Sequence, residues 1–365
     1  MEHYEDPERI HGYEYSAQND SLIDRYLLHY WWKLAIHVIP RRMPANLVSM
    51  VGNLGSWFAF LVVSGILFGP MPMAAPGRPW LFGLAALGLA FYQTFDALDG
   101  IQARRTGSSG PLGEFVDHWF DSFNGFLIPL GLTFSFPDIP AWLCLLTAWF
   151  TTLADWSELR RVKETNTIRF GKISSEEGQV ALILFYLVVW MTGYTFWTLP
   201  IPGLGLSPTL VIVAIGGVIG FVTSLEPLAA YRFVWLPDLF AEFVSLAPIA
   251  VWALLAEPAL GRAAIIAGSL CIGFGGSRYA GDLLRSRLFG LAARRWYPDF
   301  LVLDAILILS VCLPGLPSWA PIAAIAAYGL WLLAALALQF SRSLKRVRQY
   351  LGVRLFALPE RNVTL

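Results

Sequence analysis

Long apolar runs organise this chain more than alternation does. A helix needs about 20 mostly apolar residues to cross a bilayer. Ten segments reach or approach that length: 46–69, 79–103, 112–135, 138–158, 178–199, 208–231, 238–257, 262–285, 299–314 and 318–341. Several of the turns between them are short and rich in Pro and Gly, as at Gly69-Pro70, Leu199-Pro200-Ile201-Pro202-Gly203 and Leu313-Pro314-Gly315-Leu316-Pro317. Gly178 to Leu225 holds no charged residue, and the Pro200–Pro208 turn divides it into two spans. Ser21–Met43 is different. Leu22, Ile23, Tyr26, Leu27, Tyr30, Trp31, Ala35, Ile36 and Ile39 recur at i, i+3/i+4 spacing among polar residues. That pattern predicts an amphipathic helix lying in the membrane interface, with packing against the protein itself as the alternative.

Composition removes the soluble alternatives. Of the 365 residues, 56% are apolar or aromatic and 14% charged, against about 45–50% and 25% in soluble domains. Mean hydropathy is +0.56. A soluble enzyme and a disordered chain are excluded, and the expected fold is an all-α polytopic integral membrane protein of about ten transmembrane helices. Cys144, Cys271 and Cys312 lie in apolar segments without paired spacing, which supports neither a disulfide frame nor a zinc site. The first 45 residues are interrupted by charge from Asp6 to Arg42, so no cleavable signal peptide is expected.

Net charge is zero, from 26 basic and 26 acidic residues. Their placement is more informative than their sum. With ten spans, 24 of the 26 basic residues share the side of the two termini, and only Arg78 and Arg262 fall on the other. The positive-inside rule then puts both termini in the cytoplasm.

Ionisable residues in membrane segments carry a penalty of about 2.5–3.5 kcal/mol each and point to function. The end of the second span and the start of the third hold Asp96, Asp99, Glu114, Asp117, His118 and Asp121. Asp96 and Asp99 share one helical face at i, i+3, and Asp117 and Asp121 share another at i, i+4. Antiparallel helices joined by the turn Thr106–Pro111 would aim both faces at one point near the cytoplasmic surface. Four carboxylates in a low dielectric need a counter-charge, and Arg104 and Arg105 are the only cations nearby in sequence. All-oxygen ligands favour Mg²⁺ or Mn²⁺, and two carboxylate pairs suit two ions clamping a pyrophosphate. Gly100 and Gly113 let a bulky ligand approach, Ala103 keeps the Asp99 face clear, and Arg104 is placed to meet phosphate oxygens. The alternatives are a structural ion-pair network or the proton path of a transporter.

Asp96-x2-Asp99-Gly100-x2-Ala103-Arg104-x8-Gly113-x3-Asp117-x3-Asp121 resembles the motif of the CDP-alcohol phosphotransferase family at each specified position. The resemblance is closest to the choline/ethanolamine phosphotransferase branch, through Phe91–Gly100, Gln102–Ser109, Pro111–Glu114 and Asp117-His118, and extends to Tyr26-Leu27-Leu28, Trp31-Trp32, Asn46 and Thr167–Gly171. It implies an enzyme of the EC 2.7.8 class that moves a phospho-alcohol, phosphocholine or phosphoethanolamine, from a CDP-alcohol to the hydroxyl of diacylglycerol or a similar lipid, releasing CMP. Carried over by position, Asp96, Asp99, Asp117 and Asp121 would hold the metals, with Asp121 also the base. Asn46, Gly100, Ala103, Arg104, Gly113 and Asp117 would line the nucleotide and phosphate pocket. His118 with Glu114 could supply the base instead, or His118 could be a hydrogen-bonded bystander. Glu177, in an acidic segment like the one opening the fifth span of the branch, is a candidate contact for the cationic headgroup.

The expected division is a cytoplasmic N-terminal segment with the interfacial helix at 1–45, a six-helix catalytic core at 46–231, four further helices at 232–341 for lipid access or dimer contacts, and a basic cytoplasmic tail at 342–365. The partners would be the CDP-alcohol, a lipid acceptor, the bilayer and a second copy, with no nucleic acid. The active site would face the cytoplasm of a bacterial inner membrane, or of the endoplasmic reticulum or Golgi in a eukaryote. The same site run with CDP-diacylglycerol and a soluble alcohol is the alternative enzyme, and a cation transporter the alternative outside catalysis. Outside the motif, Asp155 and Glu158 read as partners of Arg160 or Arg161, and Asp282 as a partner of Arg278 or Arg285. Gly273, Gly275 and Gly276 suit close helix packing or a lipid-sized opening.

Overall fold

A computed structural model describes residues 17–19, 21–69, 78–170, 175–230 and 236–358. Arg9, Pro70, Gly171, Lys172, Arg232, Arg361 and the Glu226 side chain lie outside the described residues.

Among the described residues the regular structure is helical apart from a three-residue parallel pairing of β1 (Ala17–Asn19) with β2 (Ile168–Phe170). A short π-helical turn, Asp24–Leu28, leads into α1 (His29–Ala35). Each of the ten apolar segments then falls on a helix. These are α2 (Ala45–Val63), α3 (Trp80–Thr106), α4 (Pro111–Phe134), α5 (Ala141–Thr165) and α6 (Ser175–Thr192). After the one-turn α7 (Thr195–Thr198) come α8 (Pro208–Ala230), α9 (Leu236–Leu260), α10 (Arg262–Phe289), α11 (Pro298–Cys312) and α12 (Ala320–Leu351). Among the described residues, α2, α3, α9 and α12 are long and apolar enough to cross a membrane by length and composition. Exposed apolar side chains such as Met191, Leu330 and Ile219 cover the outer surface. A surface of that kind faces lipid in an integral membrane protein.

The breaks follow turn chemistry. α3 stops at Gly107, whose φ of 68° is left-handed, the conformation that favours glycine after a helix. Ser108 N then donates to Ala103 O at 2.9 Å. α4 restarts with Pro111 in its first turn, where the missing N–H has no intrahelical partner to lose. The two helices carrying the acidic residues are thereby folded into a tight hairpin.

Small residues bring α2 onto α3. A Cβ on Gly52 would lie 2.6 Å from the Phe95 Cβ, and one on Gly88 2.7 Å from the Gly55 carbonyl. The backbones touch where side chains would hold them apart. A buried polar ladder fixes α2 to α4: Asn124 Nδ2 donates to Asn53 Oδ1 at 2.5 Å and Ser56 Oγ to Asn124 Oδ1 at 2.7 Å. α10 runs through the interior against α4, α5, α9 and α12. Gly273 fits against Phe126, Gly275 against Leu246 and Gly276 against Thr152, so close packing explains these glycines.

The N-terminal amphipathic segment packs one face on the protein. Leu28, Trp32, Ile36 and Ile39 are buried with Val48 and Leu98. Arg105 ties it down, donating to Ile36 O at 3.1 Å and Ile39 O at 2.6 Å. Tyr26, Tyr30, Trp31, Leu34 and Val38 on the opposite side are exposed.

Candidate active site

The acidic residues of α3 and α4 meet beside the first turns of α2. Asp99 is 6% exposed, accepts a hydrogen bond from Ser49 Oγ of α2 and another from the Gly100 backbone. Its carboxyl also meets that of Asp117 across the hairpin. Asp96, one turn earlier, faces Asp99, Asp117 and Asp121 electrostatically and makes no hydrogen bond or ion pair among the described residues. Asp121 accepts from Tyr92 Oη at 3.0 Å and lies 3.6 Å from His118 Nδ1. The four carboxylates of the motif therefore converge, and no Lys or Arg pairs with any of them among the described residues.

The ligand atoms of Asp117, His118 and Asp121 lie within 4.8 Å of one another, close enough to share a cation. This trio differs from the expected all-carboxylate set by including the imidazole. Two further observations suit a cation: Asp99 and Asp117 are in carboxyl-to-carboxyl contact, and Asp96 has no Lys or Arg partner among the described residues. Convergent anions in a low dielectric need positive charge supplied from outside the chain.

The expected nucleotide side is open. A Cβ at Gly100 would meet only Arg104 Nη1, at 3.5 Å, and one at Gly113 only Asn46 Oδ1, at 3.7 Å. Arg104 thus folds back over Gly100, Asn46 stands beside Gly113, and Ala103 is half-buried between them. The other amide face of Asn46 is engaged, its Nδ2 donating to the Leu355 carbonyl at 2.8 Å. The segment after α12 therefore returns to the mouth of the site.

Two expected site residues stand elsewhere. Glu114 forms a buried ion pair with Arg287 of α10, and Arg287 Nε donates to Asn166 Oδ1 at 3.3 Å. His118 bonds Asp121 and not Glu114, because the i−4 residue is drawn toward the α10 arginine. Glu177 Oε1 accepts from Ser21 Oγ at 2.7 Å and from Ile23 N at 3.1 Å. It fastens the N-terminal segment to the start of α6.

The structure adds residues that spacing did not single out. Tyr92 is one helical turn before Asp96 on the same face, a signal present in the sequence but masked by the aromatic content around it. Ser49 could be found only from the α2–α3 contact. Asp155 of α5 was expected to pair with an arginine, but Arg161 pairs with Glu158, and Arg160 with Glu164 at 3.2 Å. Asp155 instead faces Asp121 and His118. Next to Asp155 stands Glu242 of α9, 3% exposed, with Oε2 lacking a hydrogen-bond partner. α10 sets these two at one level. Gly276 abuts Thr152, one turn from Asp155, and Gly275 abuts Leu246, one turn from Glu242.

Fold and site together define a helical membrane protein whose polar centre is an acidic cluster suited to a divalent cation, open to a bulky ligand over Gly100 and Gly113. Residues 43–216 match the model of the CDP-alcohol phosphatidyltransferase family. Relatives include an uncharacterized class-I member of that family from Schizosaccharomyces pombe, 34% identical over 191 residues covering 52% of this chain and 48% of that protein. Cholinephosphotransferase 1 of Danio rerio is 34% identical over 223 residues, 59% of this chain and 56% of its own length. Cholinephosphotransferase 1 of Homo sapiens is 32% identical over 219 residues, 58% and 52% respectively. The chain spans about half the length of the curated relatives it matches.

Proposed function

We propose that this protein transfers a phospho-amino-alcohol, phosphocholine or phosphoethanolamine, from the CDP-alcohol to the hydroxyl of diacylglycerol or a similar membrane lipid, releasing CMP. The observation that carries the reading is the convergence of Asp96, Asp99, Asp117 and Asp121 without a Lys or Arg partner among the described residues. The chain's 34% and 32% identity to two cholinephosphotransferases supports it.

In this reading Asp96, Asp99, Asp117 and Asp121 hold two Mg²⁺ or Mn²⁺ ions, with His118 beside them. When bound, such ions neutralise a pyrophosphate and make CMP a competent leaving group. Ser49 and the Gly100 amide fix the Asp99 carboxylate. Arg104, folded over Gly100, meets phosphate oxygens, and the bare backbones of Gly100 and Gly113, with Ala103 and Asn46, admit the nucleotide. The acceptor oxygen attacks the phosphorus that bears the amino-alcohol, the bond to CMP breaks, and Asp121 takes the hydroxyl proton. Tyr92 and His118 orient that carboxylate from two sides. The donor's cationic end sits by Asp155, with Glu242 behind it, in place of Glu177.

The arrangement in the membrane belongs to the same proposal. Ten helices span the bilayer, with both termini and the site cytoplasmic, as the 24-to-2 split of basic residues favours. The exposed face of Tyr26, Trp31 and Leu34 rests in the interface. Residues 46–231 form the catalytic core, and 232–341 supply lipid access or homodimer contacts.

The test is an assay of purified protein with CDP-choline, CDP-ethanolamine and CDP-diacylglycerol in turn, each with its acceptor and Mg²⁺. The proposal expects CMP release with either amino-alcohol donor and dependence on diacylglycerol. CMP release only from CDP-diacylglycerol with inositol, serine or glycerol phosphate would reverse donor and acceptor. No CMP from any donor would remove the enzyme reading.

A further inference from the structure

A polar cavity lies among α10, α12 and the connector that joins α10 to α11. It has a volume of about 270 Å³ and is lined by Arg278, Asp282, Arg285, Arg294, Tyr297, Gln339 and Arg342, among others. Its back wall is satisfied internally. Asp282 pairs with Arg285 at 3.1 Å and accepts from Tyr297 Oη at 2.6 Å and Gln339 Nε2 at 2.8 Å. Arg278 pairs with Asp299 at 2.7 Å and stacks over the Tyr297 ring at 3.8 Å. Arg294 and Arg342 remain. Neither has a carboxylate partner among the described residues, and both line the same space, so the cavity carries an uncompensated double positive charge.

Its depth is set by α12. Leu330, Leu333 and Leu338 of that helix are exposed, and Arg342, Lys345 and Arg348 follow. The cavity thus opens where a candidate membrane helix turns from lipid-facing to basic, beside the exposed Trp296, an aromatic of the type that settles at headgroup level. It is smaller than the roughly 300–1,000 Å³ that encloses a whole small molecule, and suits a headgroup whose chains run along α12. Guanidinium pairs are matched to phosphate oxygens.

We propose that this cavity is a binding site for the phosphate of an anionic glycerophospholipid, with Arg294 and Arg342 as its ligands. The site lies outside residues 43–216 and is independent of the proposed reaction.

The experiment reconstitutes the full chain in bilayer discs of equal phosphatidylglycerol and phosphatidylcholine, extracts it gently, and counts retained lipids by native mass spectrometry. Wild type is expected to retain phosphatidylglycerol in preference to phosphatidylcholine. Arg294→Gln/Arg342→Gln should lose about tenfold of that preference, the order expected from removing charge-assisted hydrogen bonds. The Lys/Lys counterpart, Arg294→Lys/Arg342→Lys, keeps the charge and should keep most of the preference, which separates loss of binding from loss of fold. Undiminished preference in the Gln double variant would overturn the proposal. Displacement of the lipid by inorganic phosphate alone would also overturn it, by making the site one for a free anion.

Discussion

Two aspartates show how differently the two halves of this molecule use charge. Asp282 of α10 is held by Arg285, Tyr297 and Gln339; Asp96 of α3 makes no hydrogen bond or ion pair among the described residues, and its near neighbours are three more carboxylates. Other charges of the C-terminal helices are met within the fold in the same way, Arg278 by Asp299 and Asp304 by the Tyr328 hydroxyl. The four motif carboxylates of the α3–α4 hairpin have no Lys or Arg partner among the described residues. A buried charge with its partner present serves the fold, and a set without partners is kept for something that binds.

Substitution separates the two kinds most sharply. Asp117→Asn should lower CMP release about 10³-fold or more, the scale of removing a key electrostatic contact to the reacting group, while the purified protein still folds. Asp282→Asn should do the reverse. It leaves Arg285 without its buried partner, a loss of about 3–5 kcal/mol, seen as a lower melting temperature in detergent with turnover retained at low temperature. If both variants lose activity and stability in parallel, the distinction fails.

Metal removal should act on one half only. Chelation is expected to abolish turnover, and added Mg²⁺ to restore it. In chelator, Asp96→Asn should melt no lower than wild type, because it relieves repulsion among the four carboxylates. A lower melting temperature would mean that Asp96 serves the fold.

Smaller effects test the support of the site. Ser49→Ala should reduce metal affinity or activity by about 10–100-fold, the usual consequence of removing a group that orients a ligand. Ending the chain after Gly352 removes the Leu355 carbonyl from Asn46. It should raise KM for the CDP-alcohol by about two- to tenfold, the worth of one neutral hydrogen bond, with kcat unchanged. A fall in kcat would give the segment a different role.

The hairpin was legible because everything that makes it is local. The i, i+3 and i, i+4 spacing of the aspartates, Gly107 as a stop and Pro111 as a start all lie within 26 residues. Helix placement was legible for the same reason, although the ends moved. α12 runs on to Leu351 because its basic extension is amphipathic and packs Arg346 and Val347 inside, which a hydropathy window cannot see. What remained hidden depends on distant partners. Glu114 meets Arg287 across 173 positions, Glu177 meets Ser21 across 156, and Asp155 turns from the nearby arginines toward Asp121. No local pattern reports which side of a helix a tertiary neighbour will occupy. The N-terminal segment combined both expectations, one face packed on the protein and an apolar face left exposed.

The central claim is that the α3–α4 carboxylates are kept for a divalent cation while the charges of the C-terminal helices are not. Mn²⁺ binding to the purified protein, followed by electron paramagnetic resonance, tests it most directly. The account predicts saturable binding in wild type and in Asp282→Asn, and strongly weakened binding in Asp117→Asn. Equal binding in wild type and Asp117→Asn, or none in wild type, would contradict it.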